Sequence, residues 1–300
     1  YINVFIAILI SITFSKNDVI NYSKITILIS LALGLLYPYF YSGLFEVSAN
    51  INHDNVAVYL TSGALLAYSG ALLISLKPFS KGNTFFLLLI YIEIAMTGAR
   101  GPLIFLVLAH FLFEIIIKRR LSLLFIFIPT IIFSGLYAIQ QDDGESFFSR
   151  MIWRFSLIFD GDSGARMEYY NSFLNVIDSF SSALFGEGLG SFGVLTHGPG
   201  VKDYPHNIFL GIISDSGILG LILFIFFSMF YLRFFLNQKL LPYFIIPLVP
   251  LLELFKSSTY AEFRLFWVAL AIPICFKIKT LTINSKNIKI KEVITDENSL

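Results

Sequence analysis

Residues 205–224 read PHNIFLGIISDSGILGLILF, in which proline, histidine and asparagine precede an almost unbroken apolar run. A transmembrane helix needs about 17 to 25 mainly apolar residues, and proline is favoured in the first turn of a helix. The stretch therefore predicts a membrane helix with the titratable side chain of His206 at its mouth. Histidine exchanges protons near neutral pH, although polar residues at headgroup level are also ordinary at such positions.

The composition of the chain extends this prediction to most of its length. Of its 300 residues 56% are hydrophobic and only 14% are charged, against about 25% charged in soluble domains. The sequence predicts an all-α polytopic membrane protein. A net charge of +1 without a basic stripe argues against nucleic-acid binding, and Cys275, the single cysteine, excludes an intrachain disulfide. The nine predicted membrane segments are 1–15, 25–45, 56–76, 84–96, 101–117, 121–139, 206–232, 240–255 and 264–276.

The positive-inside rule assigns the connectors to the two faces of the membrane. We expect an N-terminal bundle over 1–139 whose start is truncated, a periplasmic loop over 140–204, membrane helices over 205–276 and a cytoplasmic tail over 277–300. The long loop is expected to contain short helices, one of them on the membrane surface with Met167, Tyr170, Leu174 and Ile177 in one stripe. The basic residues assigned to the cytoplasmic face include Lys16, Lys24, Lys77, Lys81, Lys118, Arg119, Arg120, Arg233 and Lys239. Those left on the other face are Arg100, Arg150, Arg154, Arg166, Lys202, Lys256 and Arg264.

Two of these outer arginines stand in motifs. MTGARGPL (96–103) places Arg100 at the start of a helix, where free N–H groups favour an anion. GARMEYYNSF (164–173) places Arg166 and Glu168 at the start of the surface helix. Each arginine alone could reach headgroup phosphates or solvent. Together, their planar guanidinium groups could clamp a diphosphate.

The other candidate motifs have weaker chemical content. FGEGLGSFG (185–193) matches G-x-G-x-x-G, but no βαβ unit surrounds it, so we interpret it as a bending loop that closes over the site. His53, His110 and His197 are interpreted as structural, the last without a convergent partner. The acidic residues Asp142, Asp143 and Glu145 could bind a cation, yet an acidic loop start is usually only solvated, and we assign no metal.

The order and spacing of TGARG, GARMEYYNSFLNVI, FGEGLGSFG and PHNIFLGIISDSGILG resemble the O-antigen ligase/polymerase family, membrane glycosyltransferases of the Wzy and WaaL type. The resemblance implies a GT-C-like helical fold with a large periplasmic loop. It also implies that Arg100 and Arg166 bind the diphosphate, that His206 orients or deprotonates the acceptor hydroxyl, and that Asp215 supports the site. Two positions depart from the family pattern: Ala99 stands where serine is usual, and Asp215 where glutamate is common.

By this resemblance we expect an inner-membrane polymerase that joins undecaprenyl-diphosphate-linked repeat units at the periplasmic face. Its donor carries its own leaving group, so no cofactor is expected. Partners would be lipid-linked glycans, membrane lipid, and a chain-length regulator and flippase of the same pathway. Two alternatives stay open, an O-antigen ligase and, from another class, a lipid-linked sugar transporter. Further substrate-binding candidates are Asn207, Glu168 and Arg264.

Overall fold

Helices form the regular structure of every described part of the chain, and no strand occurs among the described residues. The all-α prediction is confirmed for them. The computed structural model describes residues 2–40, 53–79, 81–97, 99–117, 171–174, 176–199, 203, 205, 207–235, 240–257 and 264–275. Its longer helices are α1 (Ile2–Thr13), α2 (Lys16–Phe40), α3 (His53–Leu76), α4 (Asn83–Thr97), α5 (Arg100–Leu112), α6 (Phe180–Phe185), α7 (Ser191–His197), α8 (Ile208–Phe235), α9 (Ile245–Ser257) and α10 (Arg264–Cys275).

Helices occupy eight of the nine predicted segments, and the remaining one, 121–139, lies outside the described residues. Nine spans therefore stays a prediction. A π-helical turn, Phe113–Ile117, extends α5. One predicted boundary is wrong: α2 begins at Lys16, nine residues before the expected start. A reciprocal cap explains the difference, because the backbone N–H of Ser15 donates to Asp18 Oδ2 over 2.7 Å and that of Asp18 to Ser15 Oγ over 3.2 Å.

The main core lies between α2, α3, α4, α5, α9 and α10, and its middle helix is α3. Glycines on α3 let α5 approach closely. A β-carbon on Gly63 would overlap Ala99, and one on Gly70 would overlap Leu106. Small residues at contact points are typical of helices packed inside a membrane. Because the contact moves forward along both helices together, α3 and α5 run in the same direction.

Large apolar side chains cover the outside of the bundle. Leu35, Leu88 and Phe226 are among those that point outward. Two helical stretches, Lys16–Leu36 and Ile208–Tyr231, are long and apolar enough to cross a membrane, and four shorter apolar helices accompany them. Contiguous exposed apolar surface of this kind needs a nonaqueous partner, and lipid contact satisfies it.

Basic residues lie at both ends of the bundle, and the four described below are divided between the two ends as the positive-inside assignment groups them. Lys256 near the end of α9 lies against Gly101 at the start of α5, so these two helices are antiparallel. Arg264 begins α10 at that end, because the next turns of α10 pack with the start of α8 and the end of α9. Lys77 and Arg233 follow or close helices that run to the opposite end.

Helix α8 is interrupted at Gly217, whose backbone has φ 66° and ψ −168°. This conformation is accessible essentially to glycine alone. The large apolar side chains that α8 exposes all come after the break, beginning with Ile218 and Leu219. The part of the helix before Gly217 is instead covered by protein, as its neighbours show below.

Candidate active site

The predicted site residues divide into those that the structure describes and those that it does not. Asn207, Asp215 and Arg264 are described with their side chains, and Arg100 is described by its backbone as the first residue of α5. Arg166, Glu168 and His206 lie outside the described residues, so their roles stay predictions. What the structure adds is the position of the chain on either side of them.

Three helix starts that carry predicted site residues meet the end of a fourth helix at one end of the bundle. Ile208 and Ile212 in the first turns of α8 share an apolar cluster with Leu254 of α9 and Phe266 of α10. The end of α9 in turn packs on the start of α5. The starts of α5, α8 and α10, which carry Arg100, Asn207 and Arg264, are thus gathered around the end of α9.

Lys256 is a cation at this end that the motifs do not assign. A β-carbon on Gly101 would overlap its ammonium nitrogen and the last carbons of its stem. The ammonium group therefore lies over the backbone that follows Arg100. Its position on the outer face could be predicted from the charge distribution, but its contact with the TGARG motif could not, because the two are far apart in the sequence.

The departure from the family pattern at residue 99 also has a structural setting. The Ala99 side chain is buried, with 1% of its surface exposed, and contacts Gly63 of α3. A side chain at this position is directed toward α3. The hydroxyl group that the family usually carries at residue 99 is therefore missing from the contact with α3.

A second apolar cluster leads the chain from the Arg166 segment to the start of α8. Phe173 and Val176 pack with Phe192 of α7 and with Leu210 and Ile213 of α8. Leu174 of the predicted stripe is 69% exposed, whereas Phe173 and Val176 occupy the protein-facing positions; Met167 and Tyr170 lie outside the described residues, so the stripe stays a prediction. The described chain after Arg166 and the described chain after His206 are thus neighbours.

Asn207 ends this approach by capping α8. Its Oδ1 accepts hydrogen bonds from the backbone N–H groups of Phe209, at 2.9 Å, and Leu210, at 3.3 Å. Asparagine is among the preferred capping residues for this reason. The cap fixes the first turn of α8, which begins directly after Asn207. Asn207 Oδ1 therefore has a structural role in addition to any contact with the substrate.

The glycine-rich loop, residues 186–190, docks onto the break in α8. The N–H groups of Glu187 and Gly188 donate to the carbonyl oxygens of Ser214 and Asp215 at 2.8 and 3.1 Å. The N–H of Gly190 donates to Asp215 Oδ1 at 3.0 Å. Asp215, predicted to support the site, therefore holds this loop through both its backbone and its side chain.

His197 at the end of α7 has a partner, which corrects our interpretation of that residue. Its Nε2 lies 3.0 Å from Asp203 Oδ2. This contact ties α7 to the chain just before Pro205, which is buried. His110 keeps its structural interpretation, since its Nδ1 lies 3.0 Å from the hydroxyl of Tyr91.

Metal coordination finds no support in the described part of the chain, where no group of three or more His, Cys, Asp or Glu side chains converges. The acidic residues Asp142, Asp143 and Glu145 lie outside the described residues. The described groups at this end are the ammonium group of Lys256 beside the start of α5, Arg264 at the start of α10, and the glycine-rich loop. Such groups suit an anionic ligand.

A helical bundle with an apolar exterior and two helices able to cross a membrane is consistent with a membrane protein. The sequence model of the family described as O-antigen ligase matches residues 84–225. This match confirms, over these residues, the resemblance to the O-antigen ligase/polymerase family, whose members are membrane-embedded enzymes. No curated protein and no solved structure matches the chain.

Proposed function

We propose that the protein is a glycosyltransferase that polymerises undecaprenyl-diphosphate-linked repeat units at the periplasmic face of the inner membrane. The observation that carries the proposal is the meeting of the starts of α5, α8 and α10 with the end of α9. Arg100 is the first residue of α5, and His206 directly precedes the residue that caps α8. These helix starts lie at one end of the bundle although they are widely separated in the sequence, which supports a shared site for the two residues.

The reaction joins two lipid-linked glycans. The acceptor hydroxyl oxygen forms a bond to the anomeric carbon of the donor sugar, while the bond from that carbon to the diphosphate breaks. Undecaprenyl diphosphate leaves, and His206 takes the hydroxyl proton. Arg100 and Arg166 bind the departing diphosphate. Fixed donors aimed at developing charge are usually the largest catalytic contribution, and a general base adds about 10²–10⁴-fold.

The test is elongation of a defined lipid-linked repeat by the purified protein. The wild type is expected to give a ladder of products without ATP, and Arg166→Ala is expected to lower the rate by at least about 10²-fold, as loss of one charge-stabilising donor does in other enzymes. Arg233→Ala is the matched control, because Arg233 is an exposed arginine at the opposite end of the bundle. A wild-type rate for Arg166→Ala would refute the diphosphate clamp. Because the assay has a single compartment, elongation would also exclude pure transport.

The alternative is an O-antigen ligase, the activity after which the matching family is described. A ligase shares the donor and the leaving group but transfers the finished polymer to lipid A-core. A deletion strain separates the two activities. Lipopolysaccharide with a single repeat indicates a lost polymerase, whereas core without any repeat indicates a lost ligase and would overturn the polymerase proposal.

A further inference from the structure

We infer that Asp215 is a positioning residue whose carboxylate holds the glycine-rich loop on the break of α8, so that the chain carrying His206 is fixed from both sides. The inference rests on the proposed function for its effect on activity. It makes the expected support of the site specific, because the side chain of Asp215 accepts a hydrogen bond from the backbone N–H of Gly190.

The loop and the helix meet through backbone atoms. In an uninterrupted helix the carbonyls of Ser214 and Asp215 would accept only from residues four positions further along. Here the amides of Glu187 and Gly188 donate to them. The break at Gly217 thus coincides with the point where a second segment takes part in the hydrogen bonding of α8.

Glycines on both sides make this contact possible. A β-carbon on Gly186 would overlap the backbone of residues 215–217, and a β-carbon on Gly217 would overlap the carbonyl of Leu184. Both glycines also have positive φ angles. The two backbones therefore touch directly, which leaves the loop little freedom to slide along the helix.

The Asp215 side chain closes the far end of the contact. Gly190 has φ 75°, a left-handed conformation, and its N–H points to Asp215 Oδ1. A hydrogen bond from an amide to a carboxylate is charge-assisted and stronger than a neutral one. It fixes the last residue of the loop immediately before α7 begins.

Contacts of the described residues connect the glycine-rich loop to Asn207, the residue after His206. Helix α7 follows the loop, packs Phe192 on α8, and ends at His197, which contacts Asp203. After buried Pro205, Asn207 caps α8. The chain that contacts Asp215 through residues 187–190 thus continues through α7 and enters α8 after the cap at Asn207, the residue that follows His206.

The test compares Asp215→Asn with Asp215→Ala in the elongation assay. Asparagine keeps an oxygen that accepts from Gly190 but lacks the charge, so its rate is expected to stay within about threefold of wild type. Alanine removes the acceptor and is expected to lower the rate at least tenfold. Glu187→Ala removes an exposed carboxylate from the same loop and is the matched control, with a wild-type rate. Equal loss of rate in both Asp215 variants, with no change in the loop labelling described next, would assign the role to the charge at the site and overturn the inference.

A labelling measurement reads the loop itself. Leu189 is 68% exposed, and a Leu189→Cys label site in a Cys275→Ser background reports loop mobility through its reaction rate with a maleimide. Asp215→Ala is expected to change that rate severalfold, while Asp215→Asn and Glu187→Ala leave it unchanged. An unchanged rate in Asp215→Ala would overturn the inference. Because labelling needs no substrate, it keeps its meaning if the wild type fails to elongate glycans, which would refute only the proposed function.

Discussion

Lys256 lies against the TGARG motif, a contact that could not be predicted from the sequence. The family match ends at residue 225, so the lysine comes from a part of the chain outside that match. Its ammonium group covers the backbone of Gly101, the residue after Arg100. A cation beside the positive end of a helix is unfavourable by itself. An anionic donor bound there would attract both the ammonium group and the helix start.

We therefore expect Lys256→Met to weaken use of the lipid-linked donor. Methionine keeps an apolar stem and removes the charge, and the loss of a hydrogen bond to a charged group costs about 1.5–3 kcal/mol, or roughly tenfold or more in kcat/KM. The measurement is elongation rate against donor concentration. Lys81→Met, on an exposed lysine in the connector between α3 and α4, is the control. Equal kinetics in the two variants would exclude a donor contact for Lys256.

At the level of single residues, sequence reasoning predicts which side chains are unusual for a membrane protein but not which of them touch. Asn207 is a substrate-binding candidate because it stands beside His206, and its capping bonds follow from its place at the start of α8. The partner of His197 could not be predicted, because Asp203 approaches it only after the chain turns beyond α7. Contacts set by loop folding leave no periodic pattern in the sequence.

Among the elements, the break in α8 makes a testable demand on Gly217. Any other residue there must adopt a conformation that costs about 1–3 kcal/mol and also place its β-carbon against the carbonyl of Leu184. We expect Gly217→Ala to lower the thermal stability of the purified protein and to release the contact between α6 and α8. Thermal unfolding in detergent measures the first effect.

Gly211 supplies the matched control on the same helix. A β-carbon at Gly211 meets no atom within 4 Å, and alanine is favoured over glycine inside a helix by about 1 kcal/mol. Gly211→Ala is therefore expected to leave thermal stability unchanged or to raise it slightly. Similar unfolding temperatures for the two variants would show that the backbone break is not needed for the fold.

Helices were predictable because long apolar runs have few other solutions in a membrane. Their ends were less so, as α2 shows: its first turn is polar, and the cap formed by Ser15 and Asp18 extends it beyond the apolar run. The predicted stripe of the surface helix likewise did not indicate that Phe173 and Val176 would face the protein while Leu174 stays exposed. Periodicity identifies an amphipathic helix, but the neighbouring elements decide which of its faces is covered.

For the whole molecule, the arrangement of helix ends predicts which positions reagents can reach from each side of the membrane. A membrane-impermeant maleimide applied to intact spheroplasts should label Leu189→Cys and leave Lys81→Cys unlabelled until the membrane is opened. Both positions are exposed, and Cys275, which is buried, is replaced by serine in the background. Labelling of Lys81→Cys in sealed spheroplasts, with protection of Leu189→Cys, would invert the proposed topology.

The global arrangement could be predicted only in outline. Charge distribution gave the two faces, and the described helices agree with it at Lys77, Arg233, Lys256 and Arg264. The pairing of α5 with α9 could not be predicted, since one sequence does not state which helices are neighbours. The resemblance assigned Arg100, Arg166 and His206 to one site, and the structure brings the chain segments around them to one end of the bundle.

The position of the break at Gly217 along α8 also indicates how deep in the bilayer the docked loop lies. The part of α8 after it, residues 218–235, contains 18 residues, about 27 Å of helix at 1.5 Å per residue, close to the roughly 30 Å hydrocarbon thickness of a bilayer. Its exposed side chains are apolar from Ile218 to Phe230, and exposed Arg233 follows near the end of the helix, while the turns before the break are covered by protein. The docked loop therefore lies where hydrocarbon gives way to headgroups. A polyprenyl chain buried to its full depth would present its diphosphate at that same level, so the donor would not have to leave the bilayer to react.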